Sequence, residues 1–374
     1  MTKMAPKHDL RIGHLNVYHL YNKLTDINAF IQSEHVDILG ISESRLNNNI
    51  SDDSIGIPGY NVFRRDAVEP RDTGLAVYVN HNLQDSIHRR LDLETSYVEC
   101  IWLELKHCEK NTLLLGILYR NPASTLCWYD DFVNMMDNVN ATGKNVLLLG
   151  DFNIDLFKHN NAWSSTTALF GLVQLVPSAT RVTTLTSTLI DHIYTTDVHL
   201  VLRTWVPEIG ISDHFPILCS LQSKIKRKKR EHTYLSYRSF KNFDPKTFLC
   251  DLQQLPFHEV LNYTDPNNAL QHWYSLFLQV LNKHAPARKK RVRHPMLPPW
   301  LTKEVIEAMS FRDKLRKNKD LTAYKKQRNK VKSLVRKVKK EYFQKLITDN
   351  NNVTTVWNAI NTFIRPDKTL GHSS

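Results

Sequence analysis

Residues 146–153 read Val-Leu-Leu-Leu-Gly-Asp-Phe-Asn. Four successive apolar residues followed by glycine and a carboxylate describe a strand buried on both faces whose end delivers a polar group to a rim. The same arrangement recurs on both sides of it. Residues 10–15 run into Asn16, 36–41 lead to Glu43, and 113–118 end at Tyr119-Arg120-Asn121-Pro122. Residues 189–194 contain Ile190-Asp191-His192, and 216–221 follow Ser212-Asp213-His214. With 75–79 and 98–105 these are eight candidate strands, several alternating apolar and polar residues as half-buried strands do. Between them Leu126, Tyr129, Phe132, Val133 and Met136 recur at helical spacing. Strands and helices mixed in this way, with some strands in hairpin-like succession, predict an α/β (α+β) sandwich rather than a strictly alternating parallel sheet.

The chain has 374 residues, 41% hydrophobic and 23% charged, which is enough length for about two domains and enough apolar content for a core. A peptide hormone, a collagen and a wholly disordered protein are excluded. No run approaches the roughly 18–20 apolar residues of a membrane span, and the N-terminal residues lack the apolar segment of a signal peptide. Five cysteines without a CxxC pair fit reduced thiols. The expectation is a soluble protein of nucleus or cytoplasm, not secreted and without a membrane partner.

A net charge of +13 conceals a division. Residues 1–222 carry 17 Lys+Arg against 25 Asp+Glu, net −8, whereas 223–374 carry 33 against 12, net +21. Basic surfaces of that size neutralise polyanions, and Lys and Arg contacts to phosphate supply most non-specific nucleic-acid affinity. An acidic block beside one repels phosphate unless its carboxylates serve chemistry or hold a cation. The expected organisation is a domain over 1–222, a basic linker over 223–232 and a basic helical connector over 233–374. Lys226, Arg227, Lys228, Lys229 and Arg230 are candidate phosphate contacts in the linker. Past Pro298 and Pro299, Thr302 is a plausible N-cap for a long helical stretch, and residues 303–345 carry 16 Lys+Arg against 5 Asp+Glu, net +11. Val331, Leu334, Val335, Val338 and Tyr342 form one apolar stripe suited to helix packing. The remaining face is basic, with Tyr324, Tyr342 and Phe343 offered for stacking.

Each polar string is weak alone, since strand-end carboxylates often cap turns. Their order, N, E, YRNP, GDFN, ID and SDH, resembles the endonuclease/exonuclease/phosphatase superfamily, specifically the apurinic-like endonuclease domain of non-LTR (LINE-type) retrotransposon polyproteins. The resemblance spans about residues 10–222. Residues 298–303, 311–314 and 356–360 are similar, more loosely, to the connector that precedes the reverse transcriptase, so the chain resembles such a polyprotein truncated before its polymerase. The implied fold is a four-layer αββα sandwich with two mixed sheets.

The resemblance implies a site for phosphodiester hydrolysis, whose transition state gathers negative charge that needs a hard cation and fixed donors. Glu43 is expected as the principal Mg²⁺ ligand, with Mn²⁺ as a substitute, and Asn16 and Asp213 beside it. Asp151 would orient or deprotonate the attacking water and Asn153 would hold that water or a phosphate oxygen. His214 would face the scissile phosphate with Asp191 on its far ring nitrogen, and Tyr119 would bond the phosphate or assist the leaving group. Arg120, Ser212 and a threonine upstream of the ID string would touch nucleic acid; Thr180 ranks ahead of Thr183 and Ser187.

The function implied is DNA nicking of the type used in target-primed reverse transcription, with DNA and element RNA as candidate partners. Two rivals stand beside it, a phosphatase or phosphodiesterase of the same fold acting on a small phosphate ester, and an inactive nucleic-acid-binding relic. Trp128-Tyr129-Asp130-Asp131 imitates a polymerase palm string, but its helical periodicity favours a helix surface.

Overall fold

The computed structural model describes residues 9–67, 73–106, 112–183, 185–222, 233–240, 243–292, 297–298 and 300–348. One sheet contains β1 (Leu10–Asn16), β2 (Ile38–Ser42), β3 (Tyr60–Arg65), β4 (Leu75–Asn80), β13 (Val201–Trp205) and β14 (Ile217–Leu221), in the order β13-β14-β1-β2-β4-β3. The other contains β5 (Ile87–Arg89), β6 (Glu99–Lys106), β7 (Thr112–Tyr119), β8 (Asn145–Asp151), β9 (Val173–Gln174) and β12 (Asp191–Thr195), in the order β5-β6-β7-β8-β12-β9. A short hairpin joins β10 (Arg181–Val182) to β11 (Ser187–Thr188). Helices α1 (Leu24–Glu34), α2 (Cys127–Asn140) and α3 (Asn161–Leu169) complete the layers.

Side-chain alternation along each strand builds four layers from these parts. Leu10 and Ile12 of β1, Leu115 and Ile117 of β7, Leu147 and Leu149 of β8 and Ile193 of β12 meet in one core between the sheets. The opposite faces supply two outer cores. Leu148 and Trp102 pack with Trp128, Phe132 and Met136 of α2 and Trp163 of α3, while Leu39 and Tyr78 pack with Ile27 and Ile31 of α1. Val146-Leu147-Leu148-Leu149 is therefore apolar throughout because both of its faces are covered. The Trp128-Tyr129-Asp130-Asp131 string lies in α2, with Trp128 stacked on Phe132.

The connectivity gathers strand ends. β1 and β2 are parallel, aligning Asn16 with Ser42, and β7 and β8 are parallel, aligning Tyr119 with Asp151. β14 and β12 run antiparallel to β1 and β8, so their starts meet those carboxyl ends, with Asp191 opposite Asp151. Gly150 permits the close approach: a Cβ there would lie 2.1 Å from the Leu118 carbonyl oxygen, a backbone atom with nowhere to go.

Beyond residue 222 the organisation differs from the expected single connector. A separate compact unit falls between residues 229 and 295 and holds β15 (Thr233–Arg238), α4 (Pro245–Gln253), α5 (Pro266–His284) and β16 (Ala287–Val292). Asp244 and Asp265 cap α4 and α5. The pairing of β15 with β16 escapes the sequence pattern because Ala-Arg-Lys-Lys-Arg-Val reads as a charge run, not a strand.

Helices α6 (Lys303–Lys317) and α7 (Leu321–Thr348) group with the two sheets in the first unit. Thr302 caps α6, its hydroxyl accepting from the Val305 amide at 3.4 Å. The stripe of Val331, Leu334, Val335 and Val338 packs on Leu301, Val305 and Met309 of the α6 arm, with Ala29 of α1 at the same cluster. Among the described residues no helix is long and apolar enough to cross a membrane.

Candidate active site

The rim where these strands end encloses a cavity of about 210 Å³ lined by Asn16, Tyr18, Glu43, Tyr119, Pro122, Asn153, Arg181, Asp213 and His214. Register explains the gathering. Asn16, Tyr119, Asp151 and Asp191 share the parity of the inter-sheet core residues on their strands, so they continue that inner layer past its apolar part. Backbone strain accompanies them: Glu43 at φ 49° and Asn153 at φ 51° occupy the left-handed region, as do Tyr18, His19 and Arg45 on the same loops. Non-glycine residues persist there only where surrounding contacts fix them.

Asn16 joins the two sheets. Its amide nitrogen donates to Glu43 Oε1 and to Asp151 Oδ2, both at 2.8 Å, and its side-chain oxygen accepts from the Tyr18 amide at 3.1 Å. The Tyr119 hydroxyl stands 3.4 Å from the same Glu43 oxygen. Burial first, then Glu43 and Asp151, push the Tyr119 phenol far above its ordinary range, so it remains a donor. Asp151 is buried and also accepts the Asn153 amide at 3.0 Å. Burial and neighbouring Asp191 raise its pKa, against the pull of His214.

His214 Nδ1 lies 2.8 Å from Asp191 Oδ2 and 4.0 Å from Asp151 Oδ2. Burial works against its charge, but Asp191, Asp151 and Asp213 outweigh it and push His214 up to about 9. Burial likewise opposes the Asp191 carboxylate, yet His214 and His14 hold it below the usual carboxylate range. The pair is thus an imidazolium on a carboxylate, with Nε2 left for the cavity.

Asp151, Asp191 and His214 bring donor atoms within 4.8 Å of one another, a grouping able to hold a metal. The hydrogen-bonded, protonated His214 suits it poorly as a ligand. Glu43 and Asp151, two carboxylates linked by the Asn16 amide nitrogen, fit a hard divalent cation better, whereas the Asn16 oxygen, expected as a ligand, is taken by the Tyr18 amide. Glu43 Oε2 meets only Arg45, at 3.7 Å, among the described residues.

Asp213 lines the cavity, but its carboxylate pairs with Arg181 at 2.9 Å and is half-exposed, a competing partner for the metal role expected of it. Three expected nucleic-acid contacts point elsewhere. The Thr180 hydroxyl is wholly buried and accepts the Ile190 and Asp191 amides at 3.2 and 3.0 Å, fixing the strand that carries Asp191. Ser212 ties its loop to β1, donating to the Asn16 carbonyl at 2.6 Å. The Arg120 guanidinium lies over the Trp128 and Tyr129 rings and bonds the Ser124 carbonyl. Asn153 donates to the Arg120 carbonyl at 2.8 Å, which leaves its side-chain oxygen for the cavity. Lys226, Arg227, Lys228, Lys229 and Arg230 lie outside the described residues.

Sequence reading missed three residues at the site. His14, buried 3.7 Å from Asp191 and 3.1 Å from the Ser42 hydroxyl, is held down to about 4 by burial despite Asp191. It shares a strand face with Asn16 two residues on, a signal available from alternation. Arg181 has no such signal. Neither has Arg316 of α6, whose guanidinium bonds the carbonyls of Val182 at 2.8 Å and Asp213 at 3.3 Å and sits over Phe215 and Tyr324. Tyr324 and Phe343, expected to stack on bases, are buried, and the Tyr324 hydroxyl bonds the Gly210 carbonyl.

Comparison with family models matches residues 13–214 to the Endonuclease/Exonuclease/phosphatase family. No curated protein matches the chain. Among solved structures, the endonuclease domain of TRAS1, a telomere-specific non-LTR retrotransposon, is 16% identical, covers 58% of this chain and 100% of that one, and superposes with a TM-score of 0.47. An AP endonuclease from Leishmania major is 15% identical over 59% of this chain and 90% of its own, TM-score 0.48. A mannosyl-6-phosphatase from Bacteroides thetaiotaomicron is 17% identical over 57% and 99%, TM-score 0.44.

Proposed function

From the premise that this chain belongs to the Endonuclease/Exonuclease/phosphatase family, we propose that it is a Mg²⁺-dependent endonuclease that nicks DNA and leaves a 3′-hydroxyl, as in non-LTR elements where the nick primes reverse transcription. The observation that carries this reading is the continuous chain Glu43–Asn16–Asp151 lying beside the His214–Asp191 pair at one cavity. The strongly basic charge of residues 223–374 favours a polyanionic substrate over a small phosphate ester.

In this proposal a bound Mg²⁺ would neutralise charge on the phosphate and leaving oxygen. Glu43 would supply its carboxylate ligand, with the Asn16 amide linking it to Asp151, which is kept for proton transfer. Asp151, whose basicity is raised by burial, takes the proton of the water whose oxygen forms the new bond to phosphorus. The bond to the 3′ oxygen breaks, and that oxygen takes the Tyr119 hydroxyl proton, which Tyr119 recovers from solvent, to leave the 3′-hydroxyl. His214, held cationic by Asp191, donates from Nε2 to a non-bridging phosphate oxygen where negative charge grows. Asn153 positions the water or the phosphate through its side-chain oxygen.

The test is conversion of supercoiled plasmid to the nicked form by the full chain with Mg²⁺, with and without chelator. Nicking that the chelator abolishes supports the reading. DNA retardation in a gel without nicking at any Mg²⁺ concentration replaces it with an inactive binder.

A further inference from the structure

A groove of about 640 Å³ opens beside the catalytic cavity and shares Tyr18 and Asp213 with it. One wall is the rim itself and the other is α7. Lys325, Arg328, Lys332 and Arg336 line this wall at spacings of three, four and four, which places all four on one helical face. They are exposed, and among the described residues none has a carboxylate partner within an ion-pair distance. Lys23 faces them from the opposite wall.

The wall is fixed in place. The buried Arg312 guanidinium pairs with Asp26 of α1 and with Asp313, whose carboxylate accepts the Gly210 amide at 2.9 Å. Gly210 is required there, since a Cβ would lie 2.6 Å from the Tyr324 ring. Arg316 and Tyr324 grip the loops that carry Asp213 and Gly210. A basic stripe on a helix held against an active-site rim differs from a charged helix waving in solvent, because the segment that carries its cations is positioned with no further loss of backbone freedom on binding.

We propose that this α7 stripe binds backbone phosphates of the duplex DNA whose scissile phosphate occupies the neighbouring cavity. The inference rests on the nuclease reading for its choice of substrate. From Lys325 to Arg336 the helix rises about 16 Å, enough for several phosphates of one strand at about 3.4 Å of axis each. Each phosphate neutralised contributes about 0.9 to the slope of log K against log salt.

The experiment compares two triple variants of the full chain, Lys325→Ala/Lys332→Ala/Arg336→Ala on the groove face and Lys326→Ala/Lys330→Ala/Lys337→Ala on the opposite face of α7. Binding to a labelled DNA duplex is read by fluorescence anisotropy over a salt series with chelator present, so that no strand is cut. The groove triple is expected to weaken binding at least tenfold and to lower the salt slope by about 2–3, with the opposite triple within threefold of wild type. Equal losses in both, or no loss in the groove triple, overturn the proposal. Plasmid nicking by wild type is measured in parallel. A stripe-dependent grip without nicking sinks the nuclease reading alone, whereas nicking with an inert stripe sinks the groove alone.

Discussion

The buried His192 provides a quantitative test of how the rim is supported. Its ring stacks on Phe152 at 5.0 Å, its Nε2 lies 3.0 and 3.2 Å from the carbonyls of Ile154 and Leu189, and Nδ1 faces the Tyr194 hydroxyl at 3.4 Å. Nε2 therefore carries the proton and donates to carbonyl oxygen, with the ring neutral. Burial, opposed only partly by the Leu189 carbonyl and Asp191, holds it down to about 4 against an ordinary 6.5. Between those values the unfolded chain binds a proton here that the folded chain refuses, so stability falls as pH drops through the window. Integration over a 6.5-to-4 difference gives a loss of about 2 kcal/mol from pH 7 to pH 5, and about 3 kcal/mol by pH 4. Urea denaturation of wild type and His192→Gln at pH 7, 5 and 4 isolates the effect. The glutamine keeps an N–H donor but cannot titrate. Whatever fixed cost the substitution carries at pH 7, the gap between the two proteins should narrow by those amounts on acidification. A gap that stays constant to within about 0.5 kcal/mol would mean that the ring is not buried neutral, and the reasoning about β12 would be wrong.

Three further outcomes follow from the geometry. Asp151→Ala and His214→Ala should each lower plasmid nicking at least about a hundredfold while leaving duplex affinity within a few-fold of wild type, and nicking comparable to wild type by either would refute the roles given to them. Gly150→Ala should destabilise the fold by about 3 kcal/mol or more, since the added carbon meets the Leu118 carbonyl instead of a yielding side chain; an unchanged thermal midpoint contradicts that packing. Arg316→Ala should cost about 2–3 kcal/mol through lost carbonyl bonds and ring contacts, with lysine failing to restore stability because one ammonium cannot reproduce a planar fork between two rings and two carbonyls. Full rescue by lysine in a denaturation curve would reduce that contact to simple charge.

All eight candidate strands are present in the structure because each carries apolar residues, consecutive or alternating, that burial in the cores between and outside the sheets explains. Edge strands were harder. β3, read Tyr-Asn-Val-Phe-Arg-Arg, and β13, read Val-Leu-Arg-Thr-Trp, mix polar residues because an edge is half-solvated. Asn16, Glu43, Tyr119, Asn153, Asp213 and His214 were legible as strand-end or loop polar groups and converge on one cavity, with Asp151 and Asp191 behind them. Arg120, Thr180 and Ser212 were legible only as residue types. Sequence does not disclose side-chain direction in a loop, and these three bond inward to carbonyls, amides and aromatic rings. His14 was recoverable from alternation, but Arg316 was not, since no local pattern announces a contact made across more than a hundred residues.

The docking of α6 and α7 bears on how the domain that matches the family could be isolated. Cutting the chain after residue 222 would strip the guanidinium from Asp26, the hydroxyl from the Gly210 carbonyl, and the cation lying over Phe215, next to His214. The minimal fragment suggested by motif boundaries would thus begin life with a wounded flank close to its reactive edge. Catalytic measurements on such a fragment would describe a slackened version of the intact protein.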